Sequence, residues 1–397
     1  MDYEVVAIYF PSWHPNPHYR AWYGDDFTEW ELLKTAQPLF PGHRQPKIPT
    51  WGYFDESDPA WAAREIDLAA DHGITTFLFD WYWYSGVRLM EEALEGGFLQ
   101  APNRQRLKFA LMWANHDWGT WPAVTGIPGM HGETGVNRGQ QVWLPSRHSP
   151  DDLDRVIDYC AEHYFSQPNY WTIDGKPHFV LWDIAKFTEQ LGGRDAARAG
   201  LERMDARAQR LGLPGLYFTA NVGCCNDNVY CCGYDRVPAV RELGFQSTFA
   251  YNIVRVPEEF VAFADEYPVV SYEGMIASHQ HCWHEIEKWG VSHFPSVTVG
   301  SDVTPRWHRG LTLPADFRAL AYEPIVNDNT PARFGRLCSL GLRQMAKNPH
   351  PRALIINAWN EWSEGMYLLP ESREGTGYLE ALKQAIEEYT ASDAGNS

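Results

Sequence analysis

The sequence predicts an α/β fold, a single (β/α)8 barrel with long βα loops spanning 1–397, on three observations. Short apolar runs recur along the whole chain, helical patterns separate most of them, and no Gly-x-Gly-x-x-Gly follows any run. Runs of about five apolar residues without polar alternation mark strands buried on both faces of a parallel sheet. Interleaved helices make such a sheet a barrel or an open doubly wound layer, and the missing dinucleotide fingerprint disfavours the second. With no internal repeat and no low-complexity linker, one domain is expected.

The eight expected strands are Val5–Phe10, Thr75–Phe79, Phe109–Trp113, Phe179–Trp182, Leu216–Ala220, Ser247–Tyr251, Ser296–Val299 and Ala353–Asn357. Helical patterns cover 59–71, 150–163, 195–211, 331–345 and 377–389. The first opens on Pro59 and closes at His72-Gly73, the start and stop that proline and glycine favour. Long segments at 84–107, 117–150, 222–246 and 302–330 follow strands two, three, five and seven. In a barrel these loops rise on the C-terminal face, where active sites are built.

Composition excludes several classes of partner. Lys and Arg total 33 against 51 Asp and Glu, a net charge of −18 that repels nucleic acid and anionic lipid. No apolar run approaches the roughly 18 residues needed to span a bilayer, so no membrane insertion is expected. Met1-Asp2-Tyr3-Glu4 lacks the basic start of a leader peptide, and seven cysteines, an odd number, argue for reduced thiols. A cytoplasmic location is expected, with oligomeric state left open. Aromatic residues are abundant, with 18 Trp, 20 Tyr and 19 Phe, and flat apolar faces of that kind stack on sugar rings as well as filling cores.

The residues at and just past the strand ends are biased toward hydrogen-bonding groups. They are His14, Asp80, Asn115, His116, Asp183, Asn221, Asn252, Asp302, Asn360 and Glu361. Aromatic rings are interleaved with them: Trp13, Trp81, Trp113, Trp182, Tyr251 and Trp359. Polar groups for hydroxyls and aromatic faces for C–H surfaces are what an oligosaccharide or polysaccharide requires, so this set is the candidate substrate-binding surface. The blander alternative is that strand ends are polar because the chain leaves the core there. The richest run is Asn357-Ala358-Trp359-Asn360-Glu361-Trp362-Ser363-Glu364-Gly365. Glu361 and Glu364 share a side if the chain turns helically, and two carboxyls flanking one glycosidic oxygen are the minimum equipment of a glycosidase.

This run, with Phe27-Thr28-Glu29-Trp30, Pro41-Gly42-His43-x-Gln45-Pro46 and Trp113-Ala114-Asn115, resembles glycoside hydrolase family 99 and the family-99-like proteins of bacterial polysaccharide loci. The resemblance runs over nearly the whole chain. It implies an endo-acting, retaining α-mannosidase-like barrel with Glu361 and Glu364 as the catalytic pair. Glu361 would act as base on the sugar 2-hydroxyl, which displaces the leaving group to give a 1,2-anhydro sugar. Glu364 would protonate the leaving oxygen and later activate water. Ser363 stands where those enzymes carry His, a departure that bears on mannoside specificity. Glu364 is expected to hold its proton through a raised pKa while Glu361 stays ionised. The rival readings are a glycosyl-transferring enzyme of cell-surface polysaccharide synthesis and a non-catalytic carbohydrate-binding barrel.

No cofactor is expected, and two metal-like clusters are weak. Cys224, Cys225, Cys231 and Cys232 lack the usual Cys-x2-4-Cys spacing of a zinc site. His279, His281, Cys282, His284 and Glu285 read more simply as substrate-binding or surface histidines.

Overall fold

The computed structural model describes residues 3–119, 142–223, 236–254, 256–265, 267–306 and 325–394. Nine strands form one curled parallel layer: β1 (Glu4–Tyr9), β2 (Thr76–Tyr84), β3 (Lys108–Trp113), β4 (Lys176–Leu181), β5 (Tyr217–Asn221), β6 (Ser247–Phe249), β7 (Ser292–His293), β8 (Ser296–Thr298) and β9 (Ala353–Asn357). Their order is β7-β6-β5-β4-β3-β2-β1-β9-β8. Every pairing along that path is parallel, from Glu4 opposite Ala353 to Ser247 opposite Ser292. The two end strands are separated in the chain by Phe294 and Pro295. The Phe294 amide donates to Thr248, and the Pro295 carbonyl accepts from the Ile355 amide.

The strands lack polar alternation because both faces are covered. β2 is buried along its full nine residues and β9 along its five. Removing aromatic and branched side chains from water on both faces supplies the driving force, at about 25 cal/mol per Å² of apolar surface. The expected helices appear at Pro59–Asp71, Pro150–Cys160, Arg194–Arg210, Pro331–Ala346 and Gly377–Ala394. Three of them open on proline behind a capping side chain: Asp58, Ser149 and Thr330 each accept from a first-turn amide.

Two elements lie outside the expected set. The run expected at Ser296–Val299 appears as β8, and Phe294-Pro295 separates it from the two-residue strand β7. Proline has no amide for the ladder, which accounts for the break. A 16-residue helix, Tyr272–Glu287, also went unrecognised. Its core-facing side includes Gly274, Ser278 and His279, which interrupts the apolar stripe that periodicity relies on. A Cβ at Gly274 would fall 2.6 Å from the Phe260 side chain, so a small residue is required there.

Among the described residues no helix is long and apolar enough to cross a membrane. Cys224, Cys225, Cys231 and Cys232 lie outside the described residues.

Candidate active site

The C-terminal ends of the strands open onto a cavity of about 280 Å³. Ligand clefts commonly span roughly 300–1,000 Å³, so this one is compact. Asp80, His116, Trp182, Tyr251, Glu361 and Glu364 line it, together with Phe10, Tyr82, Asp117, Trp118 and Arg306. The alternation of β2 places Asp80 and Tyr82 on one face and turns Trp81 and Trp83 to the other. Tyr82, His116 and Trp118 form one aromatic wall, with the Tyr82 and Trp118 rings 5.2 Å apart. Trp182 and Tyr251 form a second, edge to face at 4.3 Å.

Glu361 and Glu364 meet around Arg306. The guanidinium Nη2 donates to Glu361 at 3.3 Å and to Glu29 at 3.0 Å, Nη1 donates to Glu364, and Nε donates to Ser363 Oγ at 2.9 Å. Ser363 in turn donates to Glu29, and Tyr251 donates to the other oxygen of Glu361 at 3.1 Å. A tight turn at Trp362–Glu364 produces the arrangement, and Gly365 closes it with φ of 71°. A Cβ on Gly365 would fall 2.7 Å from the Asp302 amide, which itself donates to the Glu364 carbonyl at 2.6 Å. That close approach brings the loop carrying Arg306 against the glutamates.

Burial, followed by the neighbouring Glu364 charge, pushes the Glu361 carboxyl well above the usual carboxylate range, with Arg306 opposing. Glu361 was expected to stay ionised through hydrogen bonds from its neighbours; Arg306 and Tyr251 supply such bonds, while burial works against the ionised form. Glu29 is raised by burial, against the pull of Arg306. Asp80 is raised well above its ordinary value by burial and then by Glu364. His116 is lowered by burial, which favours the neutral ring.

Several expected sugar contacts serve other ends. Trp13, Trp81, Trp113 and Trp359 are buried in the core and do not line the cavity. Trp13 packs on Trp30 and Phe10, Trp81 on Trp83 and Tyr164, and Trp113 on His148, while Trp359 donates to Glu65 at 2.9 Å. Each ring comes from a strand-end position whose side chain points into packing.

Three amides act as clamps between neighbouring strand exits. Asn115 accepts from the Asp183 amide at 2.6 Å and donates to the Asp183 carbonyl at 2.9 Å. Asn360 makes the same pair with Phe10, at 2.7 and 2.8 Å. Asn221 accepts from the Tyr251 and Gly223 amides. Backbone groups that leave the ladder while still buried need partners, and these side chains supply them. His116, Trp182, Phe10, Glu361 and Tyr251 reach the cavity from residues adjacent to, or clasped by, these amides.

The remaining expected contacts are also internal. His14 is buried between Glu56 and Glu92; burial works against its charge, yet those hydrogen bonds raise its pKa to about 9. Asp183 caps the helix Ile184–Leu191 through the Lys186 amide. Asp302 accepts from His43 at 3.0 Å, Gln45 at 2.6 Å and Thr304 at 2.6 Å. Asn252 is half-buried and absent from the cavity lining. In the histidine cluster, His279 is buried against Met275 and Thr298 whereas His281 and His284 are exposed, so these rings do not converge. Among the described residues no group of three or more His, Cys, Asp or Glu could hold a metal ion.

Sequence reasoning missed Arg306, Tyr82, Asp117 and Trp118. Tyr82 was legible, since it lies two residues beyond Asp80 on a strand. Arg306 carried no local signal, because its partners lie about 55 and 277 residues away in the chain.

The family model described as glycosyltransferase WbsX matches residues 5–382. The uncharacterized protein WxcX of Xanthomonas campestris pv. campestris is 27% identical over 388 residues, 96% of this chain and 49% of that protein. The chain thus spans about half the length of the curated relatives it matches. Among solved structures, the GH99 endo-alpha-mannosidase from Bacteroides thetaiotaomicron aligns with a TM-score of 0.58 at 14% identity, over 99% of both chains. A glycoside hydrolase-like protein aligns with a TM-score of 0.59 at 13% identity, over 97% of this chain and 94% of that one. These likenesses place the architecture among glycoside hydrolase barrel-like folds. The chain belongs to the glycosyltransferase WbsX family, as a family-99-like member.

Proposed function

We propose that the protein breaks α-linked, mannose-like glycosidic bonds with retention of configuration, using Glu361 and Glu364. The observation that carries this reading is their convergence on one strand-end cavity around a shared Arg306, between two aromatic walls. A closed eight-stranded barrel in one domain belongs to the same proposal, with Ser292–Thr298 acting as a single interrupted strand that joins both ends of the sheet.

In the first step Glu361 removes the proton of the substrate 2-hydroxyl as that oxygen attacks C1. Glu364 delivers a proton to the departing glycosidic oxygen, and a 1,2-anhydro sugar results. In the second step Glu364 takes a proton from the incoming hydroxyl compound, which opens the epoxide at C1, and Glu361 returns its proton to O2. Both carboxyls recover their starting state. A raised proton affinity makes Glu361, once ionised, a stronger base toward a sugar hydroxyl, and Arg306 opposes the burial that disfavours that ionised form.

The incoming group decides between hydrolysis and transfer. Water gives a glycoside hydrolase, and a hydroxyl of a second sugar gives a glycosyl-transferring enzyme, the reading the family description favours. A sugar-nucleotide donor fits poorly. Its diphosphate would meet Asp80, Asp117, Glu361 and Glu364 with Arg306 as the one cation among the described lining residues.

Incubation with a panel of mannans and bacterial polysaccharides, followed by measurement of new reducing ends, tests the proposal. Hydrolysis yields reducing ends, transfer yields longer products without them, and neither outcome leaves a binding barrel. Glu364→Gln should be partly bypassed by aryl glycosides with good leaving groups, whereas Glu361→Gln should not. Full turnover of a 2-deoxy substrate would rule out the anhydro route.

A further inference from the structure

Among the described residues, Asp80 is the cavity carboxyl that the protein leaves without a partner. It is 6% exposed, it lines the cavity, and Oδ1 is buried with no hydrogen bond. The other acids of the lining are each matched. Asp117 pairs with Lys186 at 2.5 Å and accepts from the Ser146 amide at 2.7 Å. Glu361 and Glu364 share Arg306, which Glu29 also engages. That guanidinium is thus already divided among three carboxyls before Asp80 is considered. A buried carboxyl without a hydrogen-bond donor is costly, and where it lines a cavity a ligand can supply the donor that is missing.

Resting on the glycan reading above, we propose that the sugar seated at Asp80 carries a free ammonium group, an amino sugar whose nitrogen is not acylated. Hydroxyls of a neutral sugar would give Asp80 hydrogen bonds, but burial already penalises negative charge on Asp80, Glu29 and Glu361, and a hydroxyl brings no charge to offset it. An ammonium supplies both donors and charge. Tyr82, Trp118, Trp182 and Tyr251 surround the same space, and aromatic faces attract a cation that a neutral hydroxyl does not exploit. Burial and then the Glu364 charge raise the proton affinity of Asp80 in the empty site, with Arg306 opposing. Arrival of a cation at that position should drive the proton off, so binding is coupled to proton release.

The test is calorimetric titration of the full chain near pH 6 in phosphate and in cacodylate, two amine-free buffers of different ionisation enthalpy. The probes are methyl α-mannoside, its four derivatives with one hydroxyl replaced by an amine, and their N-acetylated counterparts. At least one amino sugar should bind about tenfold or more tightly than both its acetylated form and the parent, with release of about one proton. Asp80→Asn should erase that preference. The wild-type comparison stands by itself if the variant fails to fold. Equal binding of amine, acetylated and parent sugars would overturn the inference and make Asp80 an anchor for neutral hydroxyls, leaving the glycan reading intact. Binding of none of the probes would overturn it too, and the reducing-end assay then decides separately whether the glycan reading survives.

Discussion

Asp80 and Asp302 look alike in the sequence, each an acid just past a buried strand, yet the structure gives them opposite surroundings. Asp302 accepts from His43, Gln45 and Thr304. Burial alone would raise its pKa, but the His43 hydrogen bond and the nearby Lys47 charge hold it below the ordinary aspartate range. Asp80 has no such donors and is pushed up. Both are buried, so exposure does not separate them; what does is whether the protein completes the hydrogen bonding. A completed carboxyl fastens one loop to another, whereas an incomplete one facing a cavity is left for something that arrives from outside.

The comparison makes the largest prediction concern activity at the cavity glutamates. Glu361→Gln and Glu364→Gln should each lower the rate by roughly 10²–10⁴, the usual worth of positioned acid–base groups. The melting temperature of Glu361→Gln should hold or rise, since the change removes a carboxylate that folding buries. Loss of folding in either variant would assign these residues to the structural side of the comparison.

Aromatic residues divide the same way. Trp113→Ala, at a fully buried position, should cost about 3–5 kcal/mol in a denaturant titration. Trp182→Ala should weaken oligosaccharide binding while changing stability by less than about 1 kcal/mol. Asp302→Ala comes next, at roughly 3 kcal/mol lost, because His43 and Gln45 keep donors that nothing replaces. The wild-type contribution of Asp302 is present above its unfolded pKa and disappears as pH falls through its lowered folded value.

Smaller effects sharpen the contrast. Asp80 has a raised folded pKa, so it costs stability increasingly as pH rises from the unfolded toward the folded value. Asp80→Asn should therefore raise the melting temperature modestly at pH 7 and lower it at no pH above the unfolded aspartate range. The smallest expected effect is none: chelation with EDTA should leave turnover unchanged, because the anhydro-sugar route needs no Lewis acid. Loss of activity restored by one divalent ion would make that ion the partner Asp80 lacks.

Much of this molecule was legible from one-dimensional signals. Buried strands announce themselves as uninterrupted apolar runs, and helices such as Pro59–Asp71 carry their own start and stop. The glutamate pair was legible because both residues belong to one short turn. The roles of Asn115, Asn221 and Asn360 were not, because an amide that clasps the next strand and an amide that binds a sugar have the same sequence signature. Trp182 lines the cavity as expected, whereas Trp13, Trp81, Trp113 and Trp359 do not, because one residue of phase decides between core and cavity, as Trp81 and Tyr82 illustrate. Arg306 lay beyond local reasoning, since its meaning comes only from Glu29, Glu361, Ser363 and Glu364 converging on it.

That convergence constrains how such a site can change over generations. Ser363 is fully buried, donates to Glu29 and accepts from Arg306. A histidine at this position, as in the family 99 run, adds a ring where a hydroxyl now fits between a carboxylate and a guanidinium. Such a replacement removes the hydroxyl that Glu29 and Arg306 share and crowds the guanidinium that also engages Glu361 and Glu364. Residues 306 and 363 both touch Glu29, so a change at residue 363 acts on all three at once. Ser363→His alone should therefore lower activity, which the reducing-end assay reads directly.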